Sequence, residues 1–242
     1  MEKLRLGILG AGGIAATMAG TVREMEEVTL YAVAARSYEK ARKFADTYGA
    51  EKAYGSYEEL AADENVDLIY VATPHSHHYQ HAKLCIEHGR PVLCEKAFTE
   101  NAAEAKALIR LAAEKGVFIT EAMWVRYMPM SFKLKELLTQ GRIGKIVGLT
   151  ANLGYSLMQV ERMIRPELAG GALLDLGVYT INFATWVLGD EIQEISTSMV
   201  RHDTGVDKQE FLNFIYPGGI SAGLFSTMQA VTDRRGVIYG TE

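Results

Sequence analysis

Two hydrophobic periods alternate along the first half of the chain. Leu4 to Leu9 is an apolar run, followed by helical spacing to about Met25. Val28 to Ala35 is a second strand-like run, and Tyr38 to Tyr48 a second helical pattern. Ser56 and Glu59 form a capping box that opens a short helix. Leu68 to Ala72 is wholly apolar, as a strand buried on both faces would be. A helix then runs to about His88, with Gly89 ending it. Val92 to Cys94 is a short strand that runs into Glu95-Lys96-Ala97. Asn101 and Glu104 cap an alanine-rich helix that ends at Gly116, and Val117 to Thr120 is a further strand. Strand and helix in regular alternation predict a doubly wound parallel α/β sheet over residues 1–121.

The pattern changes after Glu121. Met123 to Pro129 is aromatic and irregular, and reads as a crossing between domains. Residues 122–242 predict a short helix, Ser131 to Gln140, and a strand, Lys145 to Leu153. A helix from about Ala172 to Leu188 follows a Gly170-Gly171 turn. Three long alternating runs come next: Glu191 to Val200, Gln209 to Tyr216 and Ile220 to Gln229. Pro217-Gly218-Gly219 reads as a hairpin turn between the last two. The expectation is an α+β domain with a mainly antiparallel open sheet covered on one face by the helix. The other face would stay apolar and exposed, which predicts a homodimer or higher oligomer.

Composition narrows the partners. The net charge is −5, with 25 basic against 30 acidic residues and no basic run, a poor match to nucleic acid or an anionic membrane. The two cysteines, Cys85 and Cys94, are too few for a disulfide framework and read as reduced thiols. No apolar run reaches membrane-spanning length on this reading, and the first strand begins without a signal-peptide pattern. A cytoplasmic protein acting on a small molecule is expected.

The candidate chemistry lies at strand ends, where open parallel sheets bind ligands. Gly10, Gly12, Gly13 and Ile14 belong to a G-x-G-x-x-A turn between the first strand and helix. The first glycine permits the tight turn, the second lets backbone approach a pyrophosphate, and Ala15 allows close helix–strand packing. The helix N-terminus then offers N–H groups to the phosphates. The second strand ends in Arg36-Ser37 with no acid, which favours NADP over NAD because a cation suits a 2′-phosphate. Thr73, Pro74, His75 and His78 follow the Leu68 strand and are expected beside the cofactor, with His77 and His81 at the surface. The histidines lack an accompanying acid or cysteine cluster, so no metal is expected. Glu95 and Lys96 close the next strand. In the second half Asp175 and Tyr179 are four apart and expected on one helical face.

With these pieces, the whole chain resembles the glucose–fructose oxidoreductase and inositol dehydrogenase (Gfo/Idh/MocA) family. The likeness rests on the Gly10 loop, Thr73-Pro74 with His78, Glu95-Lys96, and Gly170 to Gly177. It implies that Lys96, Asp175 and Tyr179 form the active site of an NAD(P)-dependent oxidoreductase acting on a sugar or cyclic diol. Ala97 stands where the family usually has Pro, Tyr179 where it has His, and Asn182 where it has Asp. The Tyr variant and Glu121 to Arg126 look most like the dihydrodiol and NADP-dependent xylose dehydrogenase branch. Family members are expected to extend several tens of residues past Glu242. The implied roles are Tyr179 as proton acceptor, Lys96 as a cation favouring its phenolate, and Asp175 as an orienting group. Trp124 would form an apolar pocket wall, and Arg126 would also meet substrate. A regulator that binds the cofactor without catalysis is one alternative. A nucleotide-sugar dehydrogenase is another, for which only Arg126, Arg162 and Arg165 suggest a second pyrophosphate site.

Overall fold

The computed structural model describes residues 3–242; Met1 and Glu2, within the expected first domain, lie outside the described residues. The chain divides into two compact units, one ending at Ala122 and the other beginning at Met123.

The first unit alternates β1 (Leu4–Leu9), α1 (Gly13–Arg23), β2 (Val28–Ala34), α2 (Tyr38–Tyr48), β3 (Lys52–Tyr54), α3 (Tyr57–Ala62), β4 (Leu68–Val71), α4 (His75–Glu87), β5 (Val92–Cys94), α5 (Ala102–Lys115) and β6 (Ile119–Glu121). Its six strands lie in the order β3-β2-β1-β4-β5-β6, all parallel. The order reverses between β1 and β4, so the loops leaving those two strands flank the switch point where doubly wound sheets bind ligands. Apolar side chains pack on both faces: Leu9, Ile69, Val71 and Val92 in one cluster, Leu6, Ile8, Val33 and Tyr70 in the other. The helix starts follow the expected chemistry. Ser37, Ser56 and Asn101 accept from Lys40, Glu59 and Glu104 N–H groups at 3.3, 3.2 and 3.0 Å. β3 is three residues long, too short to leave a periodic trace in the sequence.

The second unit contains a 3₁₀ turn (Trp124–Tyr127), α6 (Pro129–Thr139), β7 (Ile146–Gly154), α7 (Val178–Leu188), β8 (Glu194–Arg201), β9 (Asp207–Ile215), β10 (Ser221–Thr227) and β11 (Gly236–Gly240). Its sheet runs β11-β7-β10-β9-β8. The β7–β10 pair is parallel and the other pairs antiparallel, so the sheet is mixed. The long crossover between β7 and β10, which includes α7, is what permits that parallel pair. α7 packs on β7 and β10 and covers Leu149, Ala151, Phe214 and Leu224. Val200, Phe211, Val237 and Tyr239 remain exposed on the opposite sheet face, where Phe211 stacks on Phe225 at 4.3 Å.

Two expectations change here. The helix expected from Ala172 to Leu188 begins instead with a π-helical turn, Leu173–Gly177. The stretch Pro166–Leu188 also proves long and apolar enough, by composition, to cross a membrane. In the structure it is three consecutive helical pieces seated on the sheet, and it carries the buried Asp175.

Candidate functional site

In the first unit every candidate residue follows the carboxyl end of a strand. Gly10 leaves β1 with φ +108°, and a Cβ there would lie 2.9 Å from the Ala72 carbonyl oxygen, so both conformation and space demand glycine. Its N–H donates to Ala34 O at 3.0 Å, while Ala72 N–H donates to Leu9 O at 2.9 Å, tying the turn to both neighbouring strands. At Gly12 and Gly13 a Cβ would meet no protein atom within 4 Å. α1 then starts with no side-chain cap and no acid in its first turn. Its first N–H groups lack intrahelical acceptors, and its own first turn carries no acid to oppose an anion. Ile14 is exposed beside them. Arg36 is exposed at the end of β2, next to Ser37 at the cap of α2. This cradle fits a dinucleotide diphosphate.

The loop after β4 is organised differently from expectation. His78 is fully buried, with Nδ1 2.7 Å from Ala97 O and Nε2 2.8 Å from Thr73 O. Both ring nitrogens are therefore committed to backbone carbonyls. Burial lowers the pKa of His78, and the two carbonyls oppose that only in part. A neutral imidazole can donate to one carbonyl at a time, so His78 pins the β4 loop to the β5 loop and offers nothing to a cofactor. His75 is buried against it, edge to face at 5.7 Å. His81, expected at the surface, is half-buried: its Nδ1 lies 3.0 Å from Thr73 Oγ1, and its ring meets Tyr57 edge-on. Pro74 starts α4 from the extended region.

After β5 the Glu95 carboxylate is occupied within the unit. The Tyr70 hydroxyl donates to Oε1, and the Lys96 N–H to Oε2 at 3.2 Å. The Lys96–Ala97 peptide, where the family usually has Pro, is cis. Phe98 N–H donates to Glu121 Oε1 at 2.9 Å, holding the segment after Lys96 to the end of β6. Tyr70 and Glu121 carried no signal that sequence reasoning could use, because each looks like an ordinary strand residue.

In the second unit Trp124 donates its indole N–H to the Tyr179 hydroxyl at 3.1 Å, the rings meeting edge-on at 6.3 Å. An indole expected only as an apolar wall is thus a polar partner of the candidate base. Arg126 donates from Nε to Asn182 Oδ1. Arg126 thus meets the neutral amide of Asn182. Asp175 is 5% exposed and accepts from Arg162 at 3.0 Å. Asp175 lies in the Leu173–Gly177 π turn and Tyr179 in the first turn of α7, which continues it. A cavity of about 430 Å³ in this unit is lined by Arg126, Tyr179, Asn182, Phe183, Trp186 and Arg235, among others. Among the described residues no group of three or more metal-ligating side chains occurs.

Comparison with known proteins follows the same division. Residues 4–123 match the family described as "Oxidoreductase family, NAD-binding Rossmann fold", and residues 132–242 match the GFO/IDH/MocA C-terminal domain. A trans-1,2-dihydrobenzene-1,2-diol dehydrogenase of Macaca fuscata fuscata is 38% identical over 242 residues, covering 99% of this chain and 72% of that protein. A D-xylose 1-dehydrogenase (NADP(+)) of Hypocrea jecorina is 40% identical, covering 95% of this chain and 66% of the relative. Among solved structures, an NAD binding oxidoreductase from Klebsiella pneumoniae superposes with TM-score 0.89 at 25% identity, covering 99% of this chain and 71% of that one. KijD10, a 3-ketoreductase from Actinomadura kijaniata crystallised with NADP and TDP-benzene, gives TM-score 0.92 at 26% identity, covering 99% and 74%.

Proposed function

Because this chain belongs to the Gfo/Idh/MocA oxidoreductase family, we propose that it is an NADP-dependent dehydrogenase exchanging a hydride with a sugar or cyclic diol hydroxyl. The observation that carries the reading is the indole-to-phenol hydrogen bond at 3.1 Å. A donor aimed at a phenol oxygen favours its ionised form, which is the form a proton acceptor needs. The relatives named for diols and for D-xylose support the substrate class.

The nicotinamide, when bound, takes up or gives the hydride. The protein must bind the dinucleotide, hold the reacting hydroxyl and move its proton. The Gly10 turn and the start of α1 bind the diphosphate, and Arg36 pairs with the 2′-phosphate. Thr73 and Pro74 line the dinucleotide site, while His75, His78 and Glu95 set the shape of its wall from behind. Lys96 hydrogen-bonds the reacting oxygen and stabilises the phenolate of Tyr179, which accepts the hydroxyl proton. Asp175, held by Arg162, fixes the turn that leads into the helix carrying Tyr179. Trp124 and Arg126 border the substrate. The first unit serves the cofactor and the second the substrate and assembly, with a second copy of the chain covering the open sheet face of Val200, Phe211, Phe225 and Tyr239.

The test is a substrate panel of aldoses and cyclic diols with NADP and NAD, followed by absorbance, in wild type, Lys96→Met, Tyr179→Phe and the double variant. Each single variant should lose most turnover, and the double should lose little more, as groups acting together do. NADP affinity should survive Tyr179→Phe, and Arg36→Ala should erase the preference for NADP. Near-normal turnover in Tyr179→Phe with loss in Asp175→Asn would reverse the roles of those two residues. Light scattering should show a dimer or larger at micromolar concentration.

A further inference from the structure

Beneath the π turn lies a carboxyl group that none of these roles uses. Glu210, in the middle of β9, is 3% exposed, and neither of its oxygens has a hydrogen-bond partner among the described residues. It faces the turn closely: a Cβ on Gly177 would lie 2.8 Å from Glu210 Oε1, so glycine there lets the backbone rest on the carboxyl. The start of the same turn is held from the same strand, since Asp207 accepts from Leu173 N–H at 2.6 Å. Gly171 makes room for that contact, as a Cβ there would fall 2.3 Å from Asp207 Oδ1. The end of the turn is held by Thr180, whose hydroxyl donates to Gly177 O at 3.0 Å and lies 3.4 Å from Ser226 Oγ.

Burial and Asp207 oppose an ionised Glu210 carboxylate, and among its neighbours only the Ser226 hydroxyl favours it. Across the sheet it is flanked by Met199 of β8 and Ser226 of β10. The charge that bears on it is Asp207, of the same sign. Asp175, on the turn above, is another acid, and Arg162 pairs with Asp175. Asp207 and Ser226 stand near Glu210, but neither meets hydrogen-bond geometry with it. Burial first, and then the charge of Asp207, push its pKa up to about 8. The neutral form is thereby favoured well above the usual carboxylate range, and the side chain gains its charge only as pH rises through the neutral-to-alkaline interval. A new charge in that position repels Asp207 and demands solvent, and the layer above it is the π turn rather than water.

We propose that Glu210 is a positioning residue whose neutral side chain seats the Leu173–Gly177 turn, and that its ionisation unseats the turn and displaces Asp175 and Tyr179. The proposal rests on the reading of those two residues as active-site groups, but the movement itself can be read without activity. The chain has two tryptophans. In a Trp186→Phe background Trp124 remains, and its indole is hydrogen-bonded to Tyr179 on the helix that continues the turn. Its emission, titrated from pH 6 to 10, should show a reversible transition near pH 8. Glu210→Gln, which keeps the shape and stays neutral, should abolish the transition. Tyr179→Phe should retain it, which separates Glu210 from ionisation of the phenol. Turnover of the wild type should decline over the same interval, and Glu210→Gln should remove that decline. A transition that survives in Glu210→Gln, is missing in the reporter background or is lost in Tyr179→Phe would overturn the proposal. If the emission behaves as expected while no substrate is turned over, the positioning stands and the dehydrogenase reading fails.

Discussion

Replacing Trp124 by Phe isolates one bond in the proposed mechanism. The substitution keeps an aromatic ring facing Tyr179 and removes the indole N–H that donates to the phenol oxygen at 3.1 Å. A hydrogen bond to a charged group contributes about 1.5–3 kcal/mol, against about 1 kcal/mol for a neutral pair. Trp124 is 56% exposed, so water replaces part of what is lost, and the low end applies. A differential of about 1.4 kcal/mol between phenolate and phenol corresponds to about one pH unit and a tenfold change at fixed pH. The ascending limb of log kcat for oxidation should therefore move upward by about one unit, with turnover near pH 7 reduced about tenfold. Activity should recover toward wild type at higher pH, because the base is intact and only harder to ionise. The assay is the rate of reduced-cofactor formation from pH 6 to 10 at saturating substrate, with KM followed separately. A uniform loss at all pH values, with an unmoved limb, would show that Trp124 contributes shape alone and that Tyr179 does not act as a phenolate.

Other consequences are smaller in scope. Gly10→Ala forces a residue with a side chain to φ +108° and its Cβ to within 2.9 Å of the Ala72 carbonyl. A cost of about 2–4 kcal/mol follows from the left-handed conformation and the displaced backbone, seen as a lower Tm and weaker dinucleotide binding. Arg162→Met removes the guanidinium that donates to the Asp175 carboxylate, whose side chain is 7% exposed. Because Arg162 is itself about half exposed, the loss should be about 1–3 kcal/mol in urea unfolding, below the cost for a fully buried pair; adding Asp175→Asn should restore part of it. His81 is held at a pKa of about 4 by burial first and then by the charges of His77 and His78. Folding therefore favours the neutral ring: this contribution is complete above about pH 6.5 and is lost as pH falls through 4. Thermal melts should show that loss in wild type and a smaller one in His81→Gln.

The alternating periods settled the first unit from the sequence alone. An apolar run of four to seven residues between helical patterns has one stable arrangement, a parallel strand covered on both faces, and the glycine spacing after β1 marks the switch point. Gly10, Lys96, Asp175 and Tyr179 could be singled out as candidates because their types and spacings are local. The second unit's helix and long strands were legible for the same reason, as one-faced and two-sided patterns. Partnerships formed across the fold were not. His78 looks like a ligand-facing histidine until its two carbonyls are known, since they come from positions 73 and 97. Trp124 has no hydrogen-bond partner until α7 brings Tyr179 to it from 55 residues away. The parallel β7–β10 pair joins strands more than sixty residues apart, a register that no periodicity encodes. The π turn has the same apolar spacing as an α-helix, and the spacing does not show that Asp207 and Glu210 lie against glycines at 171 and 177 in the layer beneath. Side-chain period reports which face is buried. It carries no information about what that face is buried against, and in this chain the charge state of Glu210 and the seat of the proposed base depend on that layer.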